Sequence, residues 1–482
     1  DETGMSPKNT MVTGIADWLK SKHPDSRVVS ISGKDRAAIT MAAKAKGHVY
    51  WFDDDFVGFS TSTFYRGQNP DWVGEFNKTV ISDYFADLWQ CSVPQKYRHL
   101  ARADDAMYES DGKDVTFPHS MAALMTGEDL EDAEVKANWM EDTPAIDQLV
   151  FGLVEKAITK LALGQKSSPD ILTIGLSATD RIAHRFGPLS LEQLDNLMRL
   201  DKELGLFLDL LDTEVGRGNY ILTLSADHGF NDAPEHRKTH NRVGKRIPET
   251  KVEELLGSIE TLDFNSDSLN ALKEARSILM ASGIVERVFT EAELASEPGN
   301  DQLHLLLQRS YYPGRIATEL ASIGIAAIEV KEGFEVKDFG SSHGTHYQYD
   351  RHVPIIFYGA NIQRLEVNEM NSIKADLNDF SASFSILSKP INRQCIDIWL
   401  KNDEIKKPPR SLWQAYSANL LYPDSNAANQ TVQSARIAHE AFDFDVVAQN
   451  YQLIERQNLR KLQIAKSIIR AASISFGIGV AI

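Results

Sequence analysis

Cysteine is almost missing from this sequence. Only two occur in 482 residues, Cys91 and Cys395. A disulfide framework and a cysteine-built metal cluster are therefore excluded, and at most one bridge could form. So few cysteines leave the redox compartment open. A basic surplus is missing as well: 51 Lys and Arg stand against 68 Asp and Glu, for a net charge of −17. That balance argues against a nucleic-acid partner, because no excess cation is left to neutralise phosphates. An acidic chain can still hold a small anion where bound metal ions and a few local cations reverse the field. Long apolar runs are lacking too. The stretch Ile468 to Ile482 is apolar but interrupted by Arg470, and it falls short of the ~20 residues that a membrane-spanning helix needs. The expectation there is a buried or oligomer-contacting terminal helix and no membrane span. Asp1-Glu2-Thr3-Gly4 has neither a basic start nor an apolar run, so no secretory signal is read at the first residue. No internal repeat or low-complexity tract stands out.

What is present is an ordinary globular composition, 42% hydrophobic and 25% charged, on a chain long enough for one large domain with insertions or for two to three ordinary ones. Short apolar runs alternate with helical patterns, which predicts an α/β fold with a mostly parallel sheet covered by helices on both faces. Four runs read as strands: Val28 to Ser32, Ile171 to Leu176, Tyr220 to Ser225 and Val353 to Tyr358. Between the second and third, Leu194, Leu197, Leu200, Leu204, Phe207 and Leu211 recur at helical spacing, as a crossover helix requires. From about 250 to 340 the rhythm breaks. Two amphipathic helices (Asp267 to Ser282 and around Glu291 to Ala295) and a strand (Ile325 to Val330) predict a smaller inserted α+β subdomain. The expected organisation is a core over 1–249, the insert over 250–340, the core continued over 341–362, and a divergent, mostly helical region over 363–482.

The placement of Asp and His residues is the informative feature. Asp180 and His184 lie four apart just beyond the run Ile171 to Leu176, so one helical turn points both side chains at the same spot. Asp227-His228-Gly229 directly follows the run Tyr220 to Ser225. Gly229 is expected to permit an unusual backbone there. His343 stands on the Gly/Ser-rich stretch Gly340-Ser341-Ser342-His343-Gly344, ten residues before Val353. Open α/β sheets build their sites at the carboxyl ends of strands, and carboxylate plus imidazole suits Zn²⁺. Five such ligands exceed what one ion with an open position needs, so the prediction is a two-metal site. Lys34 and Arg36 follow the first strand at the same edge, where a point charge and a guanidinium fork could both reach a phosphoryl group. His236 and His240, in a polar run, are expected in a solvated loop. Each of these motifs alone is more often a cap or a turn; their order along the chain is what raises the case.

Asp-x-x-x-His, then Asp-His-Gly, then His-Gly before a Val-Pro-Ile strand, resembles the alkaline phosphatase superfamily, and within it the branch shared with nucleotide pyrophosphatase/phosphodiesterases. Met5-Ser6-Pro7-Lys8-Asn9, Gly33-Lys34-Asp35-Arg36-Ala37-Ala38, Tyr50-Trp51-Phe52-Asp53, Thr116-Phe117-Pro118-His119 and Ser342 to Pro354 are similar to PafA-type phosphate-irrepressible alkaline phosphatases. The resemblance covers about residues 4 to 360. It implies that Asp180, His184 and His343 hold one zinc, that Asp227 and His228 help to hold a second, and that Lys34 and Arg36 contact the non-bridging oxygens of a small-molecule phosphate monoester. It further implies hydrolysis through a covalent phospho-enzyme, and a periplasmic or secreted location. In the family a strand bearing an Asp ligand and a later Thr or Ser nucleophile precede the Met-Ser-Pro-Lys-Asn motif, which begins here at Met5. Both are expected to be missing from this chain. Ser6 is similar to the sulfatase pattern but lacks its Arg, and Ser32 and Thr40 have no other support, so no nucleophile is named. The alternatives are a phosphate- or zinc-binding remnant without turnover, and a phosphodiesterase or nucleotide pyrophosphatase of the sister branch.

Overall fold

The computed structural model describes residues 5–264, 268–312, 320, 323–359 and 476–481. Its frame is a seven-stranded mixed sheet. In chain order the strands are β1 (Val28–Ser32), β2 (His48–Asp53), β3 (Gly58–Ser60), β4 (Ile171–Leu176), β5 (Ile221–Ala226), β6 (Ile355–Gly359) and β7 (Phe476–Ala481). In space they run β6-β5-β7-β4-β1-β2-β3. β1 pairs in parallel with both β2 and β4. β3, β6 and β7 pair antiparallel with their neighbours.

Period-two alternation explains why this sheet is covered on both faces. Val29 and Ile31 of β1, with Tyr50, Leu172 and Ile174, join the main core together with Leu149, Val150 and Leu153 of helix α2 (Ala145–Leu161). The opposite face carries Val49 and Trp51, packed against Ala38, Ile39 and Ala42 of helix α1 (Asp35–Ala42). There the Ser30 hydroxyl donates to the Ala38 carbonyl at 2.8 Å. All five residues of β1 and all six of β4 are buried, which is why these strands read as mainly apolar runs with only small polar residues or glycine among them. Helix α3 (Ala178–Phe186) follows β4 directly, and helix α4 (Leu191–Leu211) is the expected crossover.

The region beyond residue 249 has its own small core of Ile259, Ala275, Leu279, Val285, Val288, Leu320 and Ile325. Helices Glu249–Glu260 and Ser268–Ala281 pack there with the antiparallel strands Val285–Thr290 and Ile325–Val330. The first of these helices and the first of these strands were not anticipated. Glu249–Glu260 is rich in Glu but carries Val252, Leu255, Leu256 and Ile259 at helical spacing, a signal that could have found it, and Val285–Thr290 mixes Glu286 and Arg287 into its run.

Two expectations change. The terminal helix expected over 468–482 is contradicted at residues 476–481, which form β7 between β4 and β5. Phe-Gly-Ile-Gly-Val-Ala alternates glycine, a poor helix former, with β-branched residues that favour a pleated surface. The rest of the region expected over 363–475, and Cys395, lie outside the described residues. The strand expected from Val353 begins only at Ile355, after Pro354, whose missing N–H cannot enter a ladder, and it runs antiparallel to β5. Cys91 is a free thiol.

Candidate metal centre

The carboxyl edge of the sheet gathers the predicted residues. Asp180 lies in the first turn of α3 and His184 in its last. Helical spacing brings His184 Nε2 to 3.4 Å from Asp180 Oδ1. Asp227 and His228 follow β5, and His228 Nε2 lies 3.9 Å from the same oxygen. His343, on the loop after the insert, places its Nε2 at 3.5 Å from it. Three imidazoles from three segments thus surround one buried carboxylate oxygen, and that oxygen accepts no hydrogen bond. One ligand atom each of Asp180, His228 and His343 lies within 4.8 Å of the others. The His228 and His343 rings stack at 3.4 Å between centroids, so the geometry draws no division of the five residues between two ions. Asp227 is more exposed, with Oδ2 at 3.6 Å from His228 Nε2.

The tautomers make this arrangement a chemical statement. His184 Nδ1 lies 3.1 Å from the Ser341 carbonyl, and His228 Nδ1 lies 3.0 Å from the Gly229 carbonyl. A carbonyl can only accept, so each Nδ1 carries the proton and each Nε2 presents a lone pair towards Asp180. Acceptors facing an acceptor repel unless a cation lies between them. A backbone carbonyl that fixes the imidazole tautomer is a usual companion of a metal-ligating histidine. Burial lowers the His343 pKa to about 4, and burial also lowers that of His184. Both rings are therefore held neutral, as ligation requires. Oxygen and imidazole donors fit a borderline divalent ion such as zinc.

Lys34 caps α1 at the end of β1, and its ammonium binds Asp180 Oδ2. Burial works to raise the Asp180 carboxyl, but Lys34, by charge and hydrogen bond, holds it below the ordinary carboxylate range. Arg36, one residue into α1, is exposed, and the structure does not bring it to the cluster. His236 departs from the solvated loop expected for it. It lies on the helix Pro234–Thr239, half-buried, with Nδ1 2.7 Å from Asp232 Oδ2. Pro234 at the first helical position starts that helix.

Several supporting residues escaped sequence reasoning. Asp147 of α2 is buried, and its Oδ1 accepts from the backbone N–H of Ser177 at 2.7 Å and of Ala178 at 3.1 Å, anchoring the start of α3 three residues before Asp180. The signal was an Asp on the same face as Val150, Phe151 and Val154, a charge inside an apolar stripe. Glu335 and Asp350, also buried, bond to the His343 loop, and no spacing rule marks either. Two glycines are required by space. A Cβ at Gly229 would meet the Tyr349 carbonyl oxygen at 2.0 Å, and one at Gly340 would meet that of His184 at 2.0 Å. Gly340 also has φ +67°, whereas Gly229 is not among the positive-φ glycines. Close approach, not backbone conformation, is what Gly229 supplies.

A profile of the type I phosphodiesterase / nucleotide pyrophosphatase family matches residues 3–337. The chain is 29% identical over 390 residues to alkaline phosphatase PafA of Elizabethkingia meningoseptica, covering 76% of this chain and 70% of that protein. It is 33% identical over 266 residues to alkaline phosphatase PhoV of Synechococcus elongatus, covering 54% of this chain and 46% of that protein. A Myroides odoratus protein named calcium-transporting ATPase is 30% identical over 384 residues, covering 73% of this chain and 68% of that protein. The crystal structure of wild-type PafA matches the fold with a TM-score of 0.62 at 26% identity, covering 74% of this chain and 71% of that one. The class so defined is that of phosphoester hydrolases on an α/β frame. Within it, the chain belongs to the type I phosphodiesterase / nucleotide pyrophosphatase family.

Proposed function

We propose that the chain acts on phosphate monoesters of small molecules through zinc held by Asp180, His184, His228 and His343, with Asp227 as a further ligand. The observation that carries this reading is the unpartnered Asp180 Oδ1 facing three imidazole Nε2 atoms. When bound, zinc lowers the pKa of a ligated water and neutralises charge that develops on phosphoryl and leaving oxygens. The chain's own residues have other parts. Asp180 and the imidazoles set the ion's place, and the backbone carbonyls of Ser341 and Gly229 keep each Nε2 free for it. The Lys34 ammonium adds a positive charge at the same carboxylate, so an anion at the centre meets it. Arg36, two residues beyond Lys34 on α1, is proposed to reach the outer oxygens of the ester.

Two cations suit the dianionic end of a monoester better than a diester, whose extra substituent removes one charge. The insert over 250–340 is proposed to shape access for the leaving group. A periplasmic or secreted location is proposed from the relatives; no helix among the described residues is long and apolar enough to cross a membrane. The test compares hydrolysis of nitrophenyl phosphate and bis(nitrophenyl) phosphate by the zinc-loaded protein. The monoester is expected to be the faster substrate. Lys34→Ala is expected to slow it by about 10²-fold, as removal of one preorganised donor does, with little change on the diester. A diester preference that survives Lys34→Ala would reject monoester specificity.

A further inference from the structure

Like Asp227 and His228, His343 belongs to neither a helix nor a strand, unlike Asp180 and His184. A cavity of about 230 Å³ is lined by Ser342, His343 and Gly344 together with Ile328, Val330 and Phe334. The His343 ring packs against His228, His184 and Phe230, and hydrogen bonds to two buried carboxylates bracket the chain that carries it.

Glu335, 1% exposed, stands on the short strand Phe334–Val336. Its Oε2 accepts from the Ser342 backbone N–H at 3.1 Å and from Asn231 Nδ2 at 3.4 Å, and its Oε1 accepts from the Ser342 hydroxyl. Ser342 precedes His343, and Asn231 lies three residues after His228. Asp350, 3% exposed, holds the other side. Its Oδ2 accepts from both the backbone N–H and the hydroxyl of Thr345 at 2.7 Å, and its own carbonyl accepts from the Gly229 N–H at 2.6 Å. Each residue therefore ties the His343 loop to the loop that carries Asp227 and His228. Asn231 completes the link, since its N–H donates to the Ser342 carbonyl at 3.1 Å.

We propose that Glu335 and Asp350 are positioning residues. By clamping the chain on either side of His343 onto the Asp227–His228 turn, they set the His343 and His228 nitrogens at ligation distance from one ion. The inference rests on the metal reading above and deepens it. Groups behind the ligands typically contribute 10–100-fold to metal affinity.

The experiment measures zinc affinity of the full chain by competition with a chromogenic chelator, and the visible absorption of the Co²⁺-loaded protein. Neither requires turnover. Asp350→Ala and Glu335→Ala are expected to weaken zinc by about 10–100-fold and to alter the Co²⁺ bands. Asp350→Asn is the diagnostic conservative variant. Oδ2 carries both loop bonds while Oδ1 has no partner, so an asparagine keeps its acceptor in place and is expected to retain near-wild-type affinity. Should an alanine chain fail to fold, Thr345→Val and Ser342→Ala carry the test, because each removes one hydroxyl of the clamp and is expected to weaken zinc in the same direction. Folded variants that bind zinc as tightly as wild type, with unchanged Co²⁺ bands, would overturn the positioning role and leave the metal reading standing. A wild-type chain that binds no zinc would overturn both.

Discussion

Asp180 uses its two oxygens differently. Oδ2 is bound by Lys34, whose side chain is 13% exposed against 6% for Asp180, and Oδ1 faces the imidazoles with no donor. A carboxylate this buried needs a compensating charge, and without a metal Lys34 is its nearest full cation. Removing one partner of a buried pair leaves the other uncompensated, which costs about 3 kcal/mol or more. Lys34→Ala should therefore lower the urea midpoint of the metal-free protein, and saturating zinc should restore most of the loss. Equal destabilisation with and without zinc would show that Lys34 serves packing rather than charge. Asp180, His184, Asp227, His228 and His343 were legible because each stands a few residues from an apolar run or a glycine loop. Glu335, Asp350 and Asp147 were not. The partners of Glu335 and Asp350 leave no spacing pattern in a sequence, and Asp147 was marked only by its place on an apolar helix face.

At the level of elements, the site depends on where α3 begins. The first N–H groups of a helix have no partner within it, and those flanking its start lie over a buried part of the core. Asp147, projecting from α2, satisfies two of them, at Ser177 and Ala178. From the far side α4 holds the same turn: Gln193 Nε2 donates to the Thr179 carbonyl at 2.9 Å and Asn196 Nδ2 to the Thr179 hydroxyl at 3.0 Å. Asp147→Ala should destabilise the chain by about 1–3 kcal/mol, the cost of leaving buried donors unpaired, and Asp147→Asn by less, since its amide oxygen can still accept. Urea unfolding of the two variants measures the difference, and equal losses would contradict a capping role. β1, β4 and β5 and the crossover α4 were legible because short, mainly apolar runs and 3.6-residue spacing are strong signals. β7 was hidden, because glycine-spaced residues near the chain's end carry no local sign that the sheet's centre will accept them.

For the whole molecule, the sheet supplies a rigid edge onto which β1, β4 and β5 deliver Lys34, Asp180 and Asp227–His228, while the chain leaving the insert delivers His343. The insert's strand Ile325–Val330 is tied to that same chain: Glu329 Oε2 lies 2.6 Å from His346 Nδ1, and the Tyr347 hydroxyl donates to the Val330 carbonyl at 2.9 Å. These bonds join the region over 250–340 to the chain that carries His343. The fold class could be read from the alternation of runs, but convergence of three distant segments is a property of topology, which composition and spacing do not encode. The most direct test of the account is the zinc content of the full chain after equilibrium dialysis, measured by elemental analysis beside Asp180→Ala. The account predicts at least one tightly held zinc per chain in the wild type and its loss in the variant. A wild-type chain that holds no zinc, or a variant that holds as much, would contradict it.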